Sequence, residues 1–353
     1  MLLTKFFMPL CIQRPDRHRR RRVSNDNLEI MATAVKLFSK GGYLAVLALV
    51  FCGMPVHAAD TVKVLAQSDS EVTIALPDGQ LNLRPLTANA LRVRISDGKS
   101  IESPSLVLTE KVPAPKFTVD TSRRSISICT AKMKVTVDRQ NGVLSFSDAK
   151  GNVFLAEETG GRVVKPSSIQ GEPTFAVEQA FVSPPDERLF GSGEFQDGQL
   201  NLRGLPRRLT QVNTEIAMPF FLSSKGYGLL WHNYGLTELN PADDKITLVA
   251  GETKGAATTV EVTTTEGTKK ETRKPGEFVG AFTVTNSGGY AFLLDIGQKM
   301  ARRWHVEVDG KVVVDFNNFW LPPTTSWRMD LAAGRHSIKV NGEKNDQPAV
   351  FFG

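Results

Sequence analysis

One stretch of the sequence, residues 189–235, decides the fold: LFGSGEFQDGQLNLRGLPRRLTQVNTEIAMPFFLSSKGYGLLWHNYG. Two short apolar runs, at 219–222 and 227–231, are separated by the turn-forming residues Ser-Ser-Lys-Gly at 223–226. Apolar runs of strand length around such a turn predict a β-hairpin. The polar segment before it, residues 194–215, is too long for a tight connection, and loops of that length are usually functional or disordered.

Upstream of this stretch, residues 60–180 carry strand signals and no convincing helical pattern. Residues 90–95 and 133–137 alternate apolar and polar side chains, which is the period of a strand with one buried face. An Asp-Gly or Asn-Gly pair follows each run within a few residues, and such pairs favour tight hairpin turns. Short strands with turns at this spacing predict an antiparallel β-sandwich, so the predicted fold class is all-β.

A second all-β unit is predicted downstream of the hairpin. Residues 304–308 and 311–314 flank an Asp-Gly pair at 309–310, which is a strong hairpin signal. Farther on, Gly334 turns the chain into another run of strand character at 336–340. The sequence therefore predicts two β-domains and no α/β region.

Four motifs follow one another in a fixed order: Gly-Ser-Gly-Glu at 191–194, Gln-Asp-Gly at 196–198, Asn-Thr-Glu at 213–215 and Ser-Ser-Lys-Gly-Tyr-Gly at 223–228. Together they resemble the end of the N-terminal domain of glycoside hydrolase family 31, whose members cleave α-linked glucose or xylose. The resemblance covers the chain from about residue 60 onward. It implies a galactose mutarotase-like antiparallel β-sandwich that packs beside a separate catalytic barrel.

A second resemblance lies in residues 295–303 (DIGQKMARR) and 314–327 (VDFNNFWLPPTTSW). They resemble the protective-antigen-type β-sandwich module that is inserted into the N-terminal domain of some family members, notably α-xylosidases acting on xyloglucan fragments. The resemblances place the N-terminal sandwich at 59–245 and the inserted, smaller β-sandwich module at 246–353.

The family resemblance implies retaining hydrolysis by two carboxylates, a nucleophile and an acid/base, both carried on the barrel. Retaining geometry holds the two carboxyl groups about 5–5.5 Å apart. The chain has neither the βα alternation of a barrel nor the family's nucleophile motif, so we assign it no catalytic residue. We expect a truncated α-glycosidase product, specifically of an α-xylosidase acting on xyloglucan oligosaccharides, that supports the barrel and binds carbohydrate without hydrolysing it.

The resemblance also points to substrate-binding residues. Asn213, Thr214 and Glu215 match a family loop that reaches over the barrel mouth and lines the aglycone side of the sugar site. The family usually has Asp where this chain has Glu215, and a loop that only packs on the barrel stays open as the alternative. We predict that these residues contact the substrate in the complete enzyme.

The densest aromatic group of the chain is a second candidate binding site, formed by Phe316, Phe319, Trp320 and Trp327. The C–H face of a sugar stacks on aromatic rings, so an exposed platform of this kind would grip a xyloglucan backbone. The Pro-Pro pair at 322–323 favours a loop over a strand here. Core residues or a domain seam remain the alternative interpretation.

The formal net charge of +6 comes from the beginning of the chain, because residues 1–58 contain nine Lys/Arg and three Asp/Glu. The rest is balanced, which gives no electrostatic case for nucleic-acid binding. Residues 31–58 have the charge, apolar run and final Val-His-Ala of a secretory signal peptide. We interpret residues 1–30 as an untranslated leader or an overlong n-region, and we expect a periplasmic or secreted protein without a membrane anchor after signal removal.

Other chemistries are not supported by the spacing of residues. His232, His305 and His336 stand in no metal-ligand pattern, and the glycine turn is too short for a dinucleotide loop. We expect no metal and no cofactor, an oligosaccharide from xyloglucan or another α-linked sugar as ligand, and the missing barrel as packing partner. Two alternatives stay open: a stand-alone non-catalytic carbohydrate-binding protein, and an inert fragment with an exposed sheet edge.

Overall fold

The computed structural model is built from β-strands joined by turns. It describes residues 62–96, 107, 113–233, 235–252, 255–264, 266–297 and 299–353, and the backbone of residues 3–11; the side chains of residues 264, 299–302 and 318–320 are not described. Within these ranges the strands pair antiparallel and no helix is present. The predicted all-β fold is thereby confirmed. In the same ranges no helix is long and apolar enough to cross a membrane.

The first region of the chain forms the strands of one sandwich. In chain order they are β1 (Leu3–Cys11), β2 (Lys63–Gln67), β3 (Val72–Leu76), β4 (Gly79–Thr87), β5 (Ala90–Ser96), β6 (Thr118–Thr121), β7 (Ser125–Cys129), β8 (Met133–Asp138), β9 (Leu144–Asp148), β10 (Val153–Ile169), β11 (Glu172–Val182), β12 (Leu189–Glu194), β13 (Arg207–Leu209), β14 (Ile216–Ser223), β15 (Gly228–Leu230) and β16 (Thr237–Leu239).

The core of this sandwich lies between a four-stranded and a nine-stranded sheet. The small sheet has the order β2-β3-β4-β5, and the large one β13-β16-β1-β11-β10-β9-β8-β7-β6. Alternate residues of both sheets fill the core, as the period of two requires; among them are Val72, Ile74, Leu81, Leu83, Ile126, Ile128, Val135 and Val137. Each such side chain contributes about 1.5–3 kcal/mol when fully buried.

A third sheet carries the stretch that decides the fold. It has the order β12-β14-β15, and the turn Ser-Ser-Lys-Gly joins its last two strands as the sequence predicted. One apolar cluster connects it with the large sheet, because Leu189 and Phe221 pack with Leu155, Phe181 and Leu239.

Strand β1 comes from the part of the chain that the sequence assigns to a leader. Its nine residues pair with β11, from Leu3 opposite Val182 to Cys11 opposite Thr174, and two of them also pair with β16. The predicted signal peptide, residues 31–58, lies outside the described residues.

The rest of the chain forms a second sandwich. Its strands are β17 (Asp244–Ile246), β18 (Leu248–Ala250), β19 (Thr258–Thr264), β20 (Gly267–Arg273), β21 (Pro275–Val284), β22 (Gly288–Asp295), β23 (Lys299–Val308), β24 (Lys311–Leu321), β25 (Thr324–Leu331), β26 (Gly334–Glu343) and β27 (Ala349–Phe352). They form the sheets β17-β27-β22-β25 and β18-β21-β26-β23-β24 and the hairpin β19-β20.

Aromatic rings fill the centre of the second sandwich. The ring of Phe292 lies parallel to that of Trp327, with centroids 5.0 Å apart, and also contacts Phe282 and Phe352. Aromatic pairs in such geometries add about 0.5–1.5 kcal/mol to the free energy gained by burial. The predicted hairpin around Asp309 and Gly310 is present as β23 and β24.

His336 ties the start of β26 to the β23–β24 turn. Its Nδ1 lies 2.6 Å from Asp309 Oδ2 and its Nε2 lies 2.8 Å from the carbonyl oxygen of Ala332. Both neighbours are acceptors, so the doubly protonated ring satisfies both contacts. The hydrogen bond to Asp309 makes the largest contribution to raising the pKa of His336, and the bond to Ala332 raises it further. The His336–Asp309 bond also lowers the pKa of Asp309.

We expect the substitution His336→Gln to remove a pH-dependent part of the stability. A raised His pKa adds stability that is fully present below the unfolded value of about 6.5 and is lost as pH rises through the folded value. The difference in unfolding free energy between the wild type and the variant should therefore be largest near pH 5 and shrink toward pH 9. Urea unfolding at several pH values measures it. The exposed Arg335→Gln is the matched control, and a pH-independent difference for His336→Gln would contradict the assignment.

Candidate functional site

The glycine turn at the start of the decisive stretch is a β-bulge. Strands β12 and β14 change register between Gly191 and Gly193, which leaves Ser192 unpaired with a positive φ of 67°. A Cβ on Gly193 would lie 1.8 Å from the carbonyl oxygen of Ile216, and one on Gly191 would lie 2.4 Å from that of Phe220. Because only glycine permits this approach, the bulge is fixed by sequence and the Ser192 side chain is fully buried.

The buried Ser192 contacts the guanidinium of Arg207, and Arg207 is itself only 3% exposed. Nη1 of Arg207 donates to Ser192 Oγ over 2.9 Å, and Nη2 forms an ion pair with the carboxylate of Asp197. The guanidinium carbon also lies 4.2 Å from the centroid of the Phe195 ring. A buried charge is tolerated only when it is paired and hydrogen-bonded, and this arrangement supplies both conditions.

Glu215 lies beside this ion pair and is also only 3% exposed. One of its carboxyl oxygens, Oε2, has no hydrogen-bond partner within the described residues. Burial raises the pKa of Glu215 to about 8, the negative charge of Asp197 adds to the rise, and the charge of Arg207 opposes it. This shift favours the neutral acid at pH 7.

Asn213 and Thr214 form the corner of a tight turn. The backbone N–H groups of Val212 and Glu215 donate to each other's carbonyl oxygens, over 3.2 and 3.3 Å. Asn213 is exposed and Thr214 is half-buried, with its carbonyl oxygen accepting from Gln196 Nε2 over 2.9 Å. Of the three predicted contact residues, the turn offers the first two to solvent, whereas the carboxyl of Glu215 faces the protein interior.

The strand that leaves this turn has one bare apolar face. Alternate side chains of β14, together with one from β15 that pairs with Phe220, lie on the same face of the three-stranded sheet; we call this the β14 face, and it consists of Ile216, Met218, Phe220, Leu222 and Leu230. Four of these side chains are 38–51% exposed, and Phe220 is half-buried. Contiguous exposed apolar groups of this kind usually mark an interaction site.

A buried carboxylate anchors the hairpin from its other side. Glu187 accepts hydrogen bonds from the hydroxyl groups of Ser183, Ser223 and Tyr227 at 2.6, 2.5 and 2.7 Å. These bonds connect the end of β11 to both ends of the β14–β15 turn. Local sequence patterns do not predict the contacts of Glu187, Asp197 and Arg207, because most of their partners are distant along the chain.

The second sandwich holds the segment between Asp197 and Arg207 in place. Arg328 donates to the carbonyl oxygens of Asn201 and Arg203 over 2.7 and 2.5 Å. Arg208 forms an ion pair with Asp295 on β22. The two successive arginines of β13 thus bind different partners: Arg207 binds Asp197 within the first sandwich, and Arg208 binds Asp295 of the second.

The predicted aromatic platform has a different environment from the one expected. Trp327 is 4% exposed and stacks on Phe292, so its ring is covered by the core and is not available to a sugar. Phe316 is half-buried and packs against the same core. The side chains of Phe319 and Trp320 lie outside the described residues. The physical reason for the burial is that residues 324–331 form strand β25, whose alternate residues face inward.

The part of the chain that the structure describes contains no group of three or more His, Cys, Asp or Glu residues that would hold a metal ion. The residues gathered around Arg207 are a buried charge cluster without an exposed nucleophile. They are suited to holding a loop in place, not to bond cleavage.

Comparison with known proteins agrees with the fold. Residues 80–240 match the model of the glycosyl hydrolase 31 N-terminal galactose mutarotase-like domain. The chain is 33% identical over 130 residues to an alpha-xylosidase of Saccharolobus solfataricus, which covers 34% of this chain and 17% of that protein. It is 36% identical over 58 residues to alpha-xylosidase A of Aspergillus niger, 16% of this chain and 8% of that one.

A solved structure extends the likeness to both sandwiches. The GH31 alpha-xylosidase from Xanthomonas citri superposes with a TM-score of 0.60 at 24% identity, over 82% of this chain and 36% of that chain. The present chain thus spans well under half the length of each of these relatives. The match over residues 80–240 confirms the resemblance to the glycosyl hydrolase 31 N-terminal galactose mutarotase-like domain that the order of the motifs predicted.

Proposed function

We propose that this chain is the N-terminal part of a retaining α-glycosidase of family 31 that acts on α-xylosides such as xyloglucan oligosaccharides. In this proposal the two sandwiches support a separate catalytic domain and do not themselves cleave the sugar. The relatives named alpha-xylosidase support the reaction class. Their greater length supports a catalytic domain beyond the matched region, since the chain covers only 17% and 8% of them.

The observation that carries the proposal is the β14 face. Four of its five apolar side chains are 38–51% exposed in the part of the chain that the structure describes. Free apolar surface of this kind costs about 25 cal/mol for each Å² left in water. A catalytic domain packed on the sheet would remove this cost and would keep the face at a defined distance from the substrate.

The turn beside this face supports a role for the chain at the substrate. Thr214 and Asn213 immediately precede β14, so a domain that covers the β14 face lies next to their side chains. An exposed amide and a half-buried hydroxyl are suited to hydrogen bonds with sugar hydroxyl groups. We assign Asn213 and Thr214 to the aglycone side of the sugar site.

The activity is tested on the longer protein that includes this chain. We expect it to hydrolyse 4-nitrophenyl α-xyloside faster than the α-glucoside. Thr214→Ala should raise KM for xyloglucan oligosaccharides by about 2- to 10-fold, because a lost hydrogen bond costs about 0.5–1.5 kcal/mol. It should leave KM for the aryl xyloside nearly unchanged. Thr259→Ala in the exposed β19–β20 hairpin is the control. Oligosaccharide binding without any hydrolysis would instead indicate a non-catalytic binding protein.

The substitution Met218→Lys tests the covered face. In the present chain alone Met218 is 51% exposed, so a lysine there should change the unfolding free energy by less than about 0.5 kcal/mol. In the longer protein the same lysine would be buried without a partner, which costs on the order of 3–5 kcal/mol. Thermal unfolding of both proteins measures the contrast. The control Val249→Lys, 58% exposed on β18, should be silent in both, and equal effects of Met218→Lys in both proteins would contradict docking on this face.

We further propose that the protein is exported to the periplasm or secreted, with cleavage after Ala58. The support is the sequence pattern of residues 31–58. Cleavage would also remove β1 from the large sheet and leave the facing edges of β11 and β16 for another strand. Intact mass and N-terminal sequencing of the protein recovered outside the cytoplasm should give Ala59 as the first residue, whereas retention of Leu3–Cys11 would contradict this processing.

A further inference from the structure

We propose that Glu215 is a positioning residue, which does not touch the sugar but sets the orientation of the Asn213–Thr214 turn through the buried cluster of Asp197 and Arg207. The proposal rests on the proposed function, because the turn matters for activity only where it meets a substrate. It assigns to Glu215 a role different from the sugar contact that its place in the loop suggests.

Glu215 forms one side of the turn. Its backbone exchanges two hydrogen bonds with Val212, and these bonds set the width of the turn. The side chain extends into the interior, where it is 3% exposed. Expulsion of this side chain from the interior would therefore displace the backbone that carries Asn213 and Thr214.

The buried cluster contains more acidic groups than basic ones. The charged groups that act on Glu215 are the carboxylate of Asp197, in the loop after β12, and the guanidinium of Arg207 on β13. Arg207 is already committed to Asp197 and Ser192. One cation thus faces two buried carboxyl groups, and the balance is restored when one of the two carries a proton.

The proton resides on Glu215. Asp197 has the direct ion pair, whereas Glu215 has an oxygen without a hydrogen-bond partner among the described residues. Burial, and then the charge of Asp197, raise the pKa of Glu215 to about 8. Ionisation above that pH places a second negative charge in the buried cluster, and the carboxylate regains water only if the turn opens.

The consequence is a turn whose order depends on pH. A raised carboxyl pKa gives stability that is complete below the unfolded value of about 4.3 and is lost as pH rises through the folded value near 8. The equilibrium should shift toward the open turn progressively from about pH 4.3 to about 8, including a roughly tenfold shift between pH 7 and 9. A glutamine at position 215 stays neutral, so it should keep the turn closed throughout.

The test is amide hydrogen exchange of the present chain, corrected for the intrinsic effect of pH. In the wild type, protection of the Val212 and Glu215 amides should fall by about tenfold between pH 7 and 9. In Glu215→Gln it should stay constant. The exposed Glu194→Gln, at the end of β12, is the matched control and should behave as the wild type. Amides of β22 and β25 in the second sandwich report whether each variant is folded.

A second readout separates positioning from general stability. In the longer enzyme the KM for oligosaccharides should rise about tenfold from pH 7 to 9 in the wild type and not in Glu215→Gln, with kcat retaining the same pH profile in both. Glu215→Ala should show the high KM at every pH. Constant protection of the wild-type turn from pH 7 to 9, or the same pH response in Glu215→Gln, would overturn the proposal. Absence of hydrolysis would count against the proposed function, while the exchange result would still decide the role of Glu215.

Discussion

The buried guanidinium of Arg207 is the constraint on which the decisive stretch depends. An unpaired charge in an apolar interior costs several kcal/mol, so the chain between β12 and β14 must bring partners to it. Asp197 supplies the opposite charge and Ser192 an uncharged acceptor. Ser192 reaches the interior only because the two glycines flanking it let β12 lie close to the backbone of β14 at the register shift. The Gly-Ser-Gly motif is therefore structural, because it provides the buried guanidinium of Arg207 with a hydrogen-bond acceptor.

Two further sets of hydrogen bonds hold the segment around this buried ion pair in place. Glu187 gathers three hydroxyl groups beneath the β14–β15 hairpin, and Arg328 holds the backbone between Asp197 and Arg207 from the second sandwich. The turn of Asn213 and Thr214 emerges from the fixed region, next to the apolar β14 face. Polar contacts thus fix the inner side of the hairpin, while the apolar β14 face on the other side stays exposed.

Much of the fold follows from local sequence. Alternation at 133–137 and the turns at 223–226 and 309–310 predict strands and hairpins because their determinants lie within a few residues. The motif order predicted the family of residues 80–240. Density of aromatic residues did not predict exposure: Trp327 is covered because it alternates inward on β25, opposite Phe292. Whether such residues lie in a strand or in a loop depends on pairing with segments that are distant in the sequence.

The candidate site was predicted only in outline. The sequence located the loop of Asn213, Thr214 and Glu215, since the motif spacing identifies it. The inward direction of Glu215 was not foreseen, because it depends on Asp197 and Arg207, which are 18 and 8 residues away along the chain. The pairing of Arg207 with Asp197 has no periodic signal, because Asp197 lies in the loop after β12 and Arg207 lies on a strand of only three residues. Long-range charge pairing is set by packing of the complete sheet.

The central claim is that Arg207 and Asp197 act as one buried unit, and a double-mutant cycle tests it most directly. The variants Arg207→Met, Asp197→Asn and the double substitution are compared by urea unfolding. Each single change should cost on the order of 3–5 kcal/mol, because it leaves a buried charge unpaired, and the double variant should cost much less than their sum. Losses that add to within about 0.5 kcal/mol would show that the two groups do not depend on each other and would contradict the account.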